Sequence, residues 1–357
     1  MSVCPSPLWA DVTRITKLDT CGRPVYGPCS VVVTDSYTQV QYTREIEEGT
    51  DFSKKKANGN ICRSRKGKDT LKWWNAQIDF CALDPSLFAM INDQIRPIYD
   101  FNGQITGWAG TYEISSDTGI AIETWLELDD PGDVCEDISA LGAWGYDLMP
   151  RIVNARMGDK TYGEDFSMSI VGISASGVRW GRGPYDVVMN PGDPVPTPGP
   201  LLEPLTSDQA DFFDVVTVPP PAPSCGCQPL SNPAAPALTV TCLGSDATGM
   251  TVQVTTAATT GTWTVDYGDG TPTETLPTGT TGVTHVYAPE VADRSPVWIG
   301  VWDVNTPTMY RAVQVALPCT ADLVLSVDPV TGPAPLAVTW NTTGDIGTTV
   351  FDSGEGA

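Results

Sequence analysis

From Lys72 to Ala82 the side chains alternate: Trp74, Ala76, Ile78, Phe80 and Ala82 fall on one side, Trp73, Asn75, Gln77 and Asp79 on the other. A period of two is the pattern of a strand with one dry and one wet face. Gly119 to Leu128 repeats it, with Ile120, Ile122, Leu126 and Leu128 opposing Glu123 and Glu127, and Trp125 on the side of the acids. Residues 37–44, 150–156 and 167–178 also read as strands. One segment has helical spacing instead. Asp84 caps it, Pro85 occupies its first turn, and Leu87, Phe88, Met90 and Ile91 form its apolar stripe. The first half is therefore expected to be antiparallel β with one flanking helix.

Between Glu45 and Asp69 the alternation stops. Seven of the chain's 20 basic residues fall here within fifteen positions: Lys54, Lys55, Lys56, Arg63, Arg65, Lys66 and Lys68. The segment is too long and polar for a tight turn, and is expected to be a structureless loop that serves a contact. Further along, prolines crowd from Pro184 to Pro236, including the triplet Pro219-Pro220-Pro221. Proline fixes φ and donates no hydrogen bond, so this stretch is expected to be an extended linker, with 205–217 as a possible docked segment. The predicted organisation is a first domain over 1–183, the linker over 184–236, and a second domain over 237–319.

That second domain is rich in Thr and Val, with short alternating strands between Gly, Asp and Asn turns. Its size and texture predict an immunoglobulin-like sandwich. Val265-Asp-Tyr-Gly-Asp-Gly-Thr271 recurs 86 residues later, in degraded form, as Phe351-Asp-Ser-Gly-Glu-Gly-Ala357. At the same offset Val338 and Trp340 fall on Val252 and Val254. Residues 320–357 are thus expected to open a second copy, and a stop inside a repeat predicts a longer form made by frameshifting.

Charge sharpens this picture. The chain has 20 Lys+Arg against 43 Asp+Glu, a net charge of −23, which excludes an electrostatic grip on nucleic acid and attachment to anionic membranes. After Val218 only Arg294 and Arg311 are basic. A single histidine, His285, excludes multi-histidine metal centres. No stretch approaches the ~20 apolar residues of a membrane span, and no signal peptide is legible, so a cytoplasmic product is expected. The ten cysteines are then expected to be buried thiols; Cys242 and Cys319 bracket the second domain and are candidates for a later cross-link, with connectivity left open by the sequence.

Two resemblances follow from quoted residues. Asp266-Tyr-Gly-Asp-Gly-Thr271, with Thr284-His-Val-Tyr-Ala288, resembles the signature of polycystic-kidney-disease-type (PKD) immunoglobulin-like domains. It implies structural roles for Trp263, Asp266, Tyr267, Gly268, Asp269, Gly270, His285 and Tyr287. Ala57-Asn-Gly-Asn-Ile-Cys62, Asp69-Thr-Leu-Lys-Trp73 and Ile78-Asp-Phe-Cys-Ala-Leu-Asp-Pro-Ser-Leu-Phe88 resemble the major tail (tail tube) proteins of long-tailed, non-contractile actinobacteriophages. That resemblance implies an all-β tail-tube sandwich or barrel with one flanking helix, a long inter-ring loop over 45–68, and homohexameric rings stacked into a tube. It also implies tape-measure and tail-terminator partners, residence in the virion tail after assembly in the host cytoplasm, and DNA only in transit.

On this reading Asn75, Gln77, Asp79, Glu123 and Glu127 are candidates for the lumen wall, where carboxylates and amides repel phosphate. An enzyme is disfavoured: no GxSxG or HExxH occurs, and the adjacent acids Asp129-Asp130 and Glu47-Glu48 point different ways on a strand or turn. No cofactor and no metal are expected; calcium at Asp266, Asp269 or Glu274 is only weakly signalled. The alternative is a host-surface or glycan-binding protein, with Trp298 and Trp302 as an aromatic face.

Overall fold

The computed structural model describes residues 6–82, 84–92, 94–100, 105–112, 118–129, 143–163, 166–192, 195–246, 249–257, 261–276, 282–294, 296–317, 324–329 and 338–343. It is nearly all β, with one α-helix among those residues, and divides into two units, Met1–Leu230 and Ser231–Ala357.

The strands of the first unit are β1 (Ser6–Leu18), β2 (Gly27–Thr34), β3 (Tyr37–Glu47), β4 (Asp51–Lys55), β5 (Ile61–Lys66), β6 (Thr70–Phe80), β7 (Arg96–Tyr99), β8 (Ile105–Ala109), β9 (Gly119–Asp129), β10 (Trp144–Thr161), β11 (Ser167–Ser174), β12 (Val188–Asn190), β13 (Thr197–Gly199), β14 (Phe212–Val216) and β15 (Gln228–Leu230). Helix α1 (Pro85–Ile91) follows β6. Nine strands form one antiparallel sheet in the order β15-β2-β1-β9-β10-β11-β6-β3, with β14 on a second side of β10. Strand β10 is 18 residues long and serves three neighbours: β9 pairs with 144–153, β14 with 144–148 and β11 with 152–161, and its β11 register shifts near Asn154 at φ 53°. Strand β11 ends at Ser174, short of the expected 178, where Gly177 turns the chain at φ 80°.

One face of the sheet carries the main core. Ile15, Ala76, Ile78, Phe80, Ile120, Ile122, Ile152 and Ile170 pack there against Leu87, Phe88, Met90 and Ile91 of α1. The helix starts where expected: the Asp84 carboxylate accepts from Ser86 N at 2.9 Å, satisfying one free N–H of the first turn. Phe88 stacks on Trp108 at 4.9 Å.

The opposite face is covered over only part of its width. Above β1, β9 and β10 lie Val178, Trp180, Val187, Val188, Leu201 and Leu205, packed on Ala121, Trp125, Tyr146 and Leu148. This corrects the reading of 184–236 as an extended linker. Most of the stretch is folded cover: β12 pairs with β13, β14 with β10, and β15 with β2. Spaced apolar residues among the prolines bury it, and non-proline residues supply the donors. The unit boundary falls after Leu230, and 231–236 belong to the second unit, where Asn232 N donates to Tyr310 O at 2.8 Å.

The cysteines depart from the buried-thiol expectation as well. Cys29 and Cys227 form a disulfide spanning 198 residues, and Cys242 is disulfide-bonded. Cys21, Cys62, Cys81 and Cys225 are free but exposed. Cys4, Cys135 and Cys319 lie outside the described residues.

The second unit has strands β16 (Leu238–Asp246), β17 (Gly249–Thr256), β18 (Trp263–Asp266), β19 (Glu274–Leu276), β20 (Gly282–Tyr287), β21 (Val297–Asp303) and β22 (Thr306–Val315). They form a three-stranded sheet, β16-β17-β20, and a four-stranded sheet, β19-β18-β21-β22, around one core of Val252, Val254, Val265, Tyr287, Ile299 and Val301. Beyond it, β23 (Val324–Pro329) pairs antiparallel with β24 (Val338–Thr343). The pairing Val327↔Trp340 sits one residue from where the 86-residue offset carries Val240↔Val254. The degraded turn at 351–357 lies outside the described residues.

Candidate functional site

The expected structureless loop is a β-hairpin arm. Strands β3 and β6 stay paired past the core to Ile46↔Leu71, and β4 and β5 continue the ladder outward. Gly49 and Gly67 pass so closely that a Cβ on Gly49 would lie 2.3 Å from Gly67. At the tip Lys56 N donates to Asn60 O at 2.7 Å, and Gly59 turns at φ 84°. Every residue from Thr50 to Lys72 is exposed.

Register sorts the cations by face. Phe52 lies opposite Arg65, and Lys54 opposite Arg63, so one face carries three cations around an exposed phenyl ring. Like charges directly opposite each other weaken a ladder, and two isolated strands are marginal in water. Lys66 Nζ lies 3.9 Å from Asp69; Lys54, Lys55, Lys56, Arg63, Arg65 and Lys68 make no ion pair among the described residues. Ile46, Phe52, Ile61 and Leu71 are all large, apolar and exposed on this one arm.

Where the cover of the sheet ends, the wet face begins. Asn75 and Gln77 are exposed and Asp79 half-buried, next to Gln39 and Gln41 of the edge strand. Trp73 Nε1 donates to Asn75 Oδ1 at 3.2 Å and Gln77 Nε2 to Asp79 Oδ1 at 2.9 Å. Beside them opens a polar groove of about 620 Å³, walled by Thr38, Gln77, Asp79, Arg156, Ser167 and Ser169.

Glu123 is not part of that surface, although it belongs to the same sheet face. It is 0% exposed, because the folded proline-rich segment covers β9. Arg14 Nε and Nη2 donate to its two oxygens at 2.7 and 2.6 Å, and Tyr146 Oη donates at 2.7 Å. The guanidinium lies 3.3 Å from the Tyr185 ring centre, and Tyr185 Oη is 2.7 Å from Thr16 Oγ1. Burial works against the Arg14 charge, but Glu123 outweighs it and holds the arginine pKa above its ordinary value. Burial, then Glu123, lifts the Tyr146 hydroxyl well above its usual range. Arg14, Tyr146 and Tyr185 are not among the residues the sequence singles out; the one signal is that Arg14 falls in phase with the apolar positions Ala10, Val12 and Leu18. Glu127 is half-buried instead, and with Asp35 it adds to the burial that raises the pKa of Asp11.

Asp147 gives a pH handle on this unit. Burial, with Asp211 nearby, pushes its carboxyl up to about 6. A raised carboxyl favours the fold when protonated, so its contribution is complete below about 3.8 and is lost as pH rises through about 6. Asp147→Asn is therefore expected to be more stable than the natural chain at pH 8, by about 1–2 kcal/mol after solvent screening, and equal to it near pH 4. Urea titrations at the two pH values check this.

In the second unit the signature residues converge. His285 Nε2 lies 2.7 Å from Asp269 Oδ2, and its ring stacks on Tyr267 at 3.8 Å and meets Tyr287 edge-on at 4.8 Å. Tyr287 Oη donates to Tyr267 O at 2.8 Å, and Tyr267 Oη to Glu274 at 2.7 Å. Burial opposes the Asp269 charge, but donors from Thr271 and His285 bring its pKa below the ordinary value. Gly268, at φ 72°, leaves no room for a Cβ, which would sit 2.3 Å from Trp298 O. Trp263 is buried in the core, while Asp266 Oδ1 accepts from Gly268 N and Gly270 turns at φ 86°. The carboxylates considered for calcium are thus engaged within the turn. Trp298 and Trp302 are half-buried, with Trp302 stacked on Tyr310 at 6.3 Å, neither core nor an open aromatic platform.

No group of three or more His, Cys, Asp or Glu gathers as a metal site among the described residues, and no helix there is long and apolar enough to cross a membrane. No protein-family model matches the chain, and no curated protein matches it.

Proposed function

We propose that this protein is a structural subunit of a phage tail tube, assembling into homohexameric rings that stack into a conduit for DNA. The observation that carries this reading is the hairpin arm. Twenty-three consecutive residues, 50 to 72, are exposed, and within them β4, β5 and the start of β6 form strands with no core beneath them. A lone two-stranded ribbon with opposed cations is marginal in water, so its retention makes sense as one side of an interface. The partner must be acidic, and a second copy of a chain of net charge −23 supplies that.

Two further features support the reading. Among the described residues strand β3 is an open sheet edge eleven residues long, and a ring of subunits removes such edges by pairing them. The bare face bearing Asn75, Gln77 and Asp79 is uncharged or acidic save for Arg156, a surface along which duplex DNA slides rather than sticks. Glu123 has no part in that wall. The second unit fits an outward decoration, with His285 holding its turn in shape.

Imaging of the purified protein in negative stain tests the proposal. Rings or tubes of uniform diameter are expected as concentration rises. A strictly monomeric protein at high concentration and low salt defeats it.

A further inference from the structure

Three cysteines meet at the end of the first unit. Cys29 and Cys227 share a disulfide, and Cys225, two residues before Cys227, keeps a free and exposed thiol. The bonded pair is less accessible: both residues are half-buried, and Cys227 packs against the main core. Cys225 instead lines an open pocket of about 220 Å³, beside Thr34, Ser36, Leu87 and Ser224. The backbone fixes it there, since Ser224 N donates to Val33 O at 3.1 Å and Gly226 N to Asp84 Oδ2 at 2.9 Å. Gly226, between the two neighbouring cysteines, adopts φ 86°, a left-handed turn that glycine takes without strain. Only two registered pairs, with a shift between them, join β15 to β2, so the disulfide adds a covalent fastening to a strand otherwise held by its buried Leu230 beside Val31 and Val33.

We propose that Cys225 is the exchange thiol through which the Cys29–Cys227 bond is made. A free thiol beside a finished disulfide is what such a relay leaves behind. In the reduced chain, the exposed Cys225 thiolate attacks a low-molecular-weight disulfide, RSSR, forming a mixed disulfide and releasing one RS⁻. The Cys227 thiolate displaces the second RS⁻, closing a Cys225–Cys227 bond across Gly226. The Cys29 thiolate then attacks the Cys227 sulfur, which forms Cys29–Cys227 and returns Cys225 as a thiolate. In sum RSSR gains two electrons and two protons and leaves as two RSH, while Cys29 and Cys227 each lose a hydrogen. Cys225 ends unchanged, having moved the oxidising equivalent from solvent to a half-buried pair.

The test uses the full chain. It is reduced without denaturant, freed of reductant and exposed to glutathione disulfide, then quenched by alkylation at intervals and read by peptide mass spectrometry. Among these three residues the first glutathione adduct is expected on Cys225. Cys225→Ser should reach the same final bond at a rate lower by about tenfold or more. Cys21→Ser and Cys81→Ser, which remove other exposed free thiols, should leave the rate unchanged. A first adduct on Cys29 or Cys227, or a Cys225→Ser chain that closes the bond at the natural rate, overturns the proposal. Because the adduct is located on the unaltered protein, the result does not hang on the variant's folding. Nor does it depend on whether the protein forms tubes.

Discussion

Replacing Glu123 with glutamine is expected to cost the first unit about 3–5 kcal/mol, the largest effect of any single substitution considered for this protein. The carboxylate takes two hydrogen bonds from Arg14 and a third from Tyr146, all away from water. Removing its charge leaves the guanidinium buried and uncompensated between Trp125 and Tyr185. In thermal terms that is a fall of roughly 10 °C or more for a unit of this size. The paired change Arg14→Met with Glu123→Leu should recover most of the loss, because it removes both desolvation costs together. A double-mutant cycle by urea denaturation measures the coupling. Additive losses, with no recovery in the double variant, would show that the pair is not the unit of stability argued here.

Reversing the cationic face of the arm should act in the opposite way, on association and not on folding. Lys54→Glu, Arg63→Glu and Arg65→Glu change three exposed side chains on one face of the hairpin. The triple variant is expected to unfold within about 0.5 kcal/mol of the natural chain. Its self-association should fall by on the order of 100-fold, and association of the natural chain should weaken as salt rises. Sedimentation velocity at two salt concentrations reads both effects. Tubes that form equally well from the triple variant would remove the arm from the interface.

The strands and helix were legible because burial writes its period into the sequence. Lys72 to Ala82 alternates since β6 has one face on the core and one in solvent, and Asp84-Pro85 marks the helix start by capping chemistry alone. Reading failed where tertiary context decides. The alternation around Glu123 is the same as that around Gln77, yet one acid is buried and the neighbouring sheet surface is bare. What separates them is a cover drawn from residues some 60 positions further on, which local spacing does not encode. The prolines of 184–236 hid that cover, since their count outweighed the few apolar residues that dock it. In the arm, cations on both faces erased the alternation by which a strand is recognised, although cross-strand backbone bonds hold one there. The disulfide was out of reach for a simpler reason: spacing along the chain does not give connectivity.

The seating of β15 beside β2 sets an order of events during synthesis. Strand β2 is complete at residue 34, but its outer neighbour is made only at residue 228. At ribosomal speeds of about 5–20 residues per second, the 198 residues between Cys29 and Cys227 take roughly 10–40 s to appear. For that interval the growing chain presents an unzipped strand margin, a template on which another chain can pair. Seating β15, the last strand of the first unit to be made, therefore also ends a period of vulnerability to mispairing, and a chaperone that shields strand margins would find its substrate here, on the nascent protein.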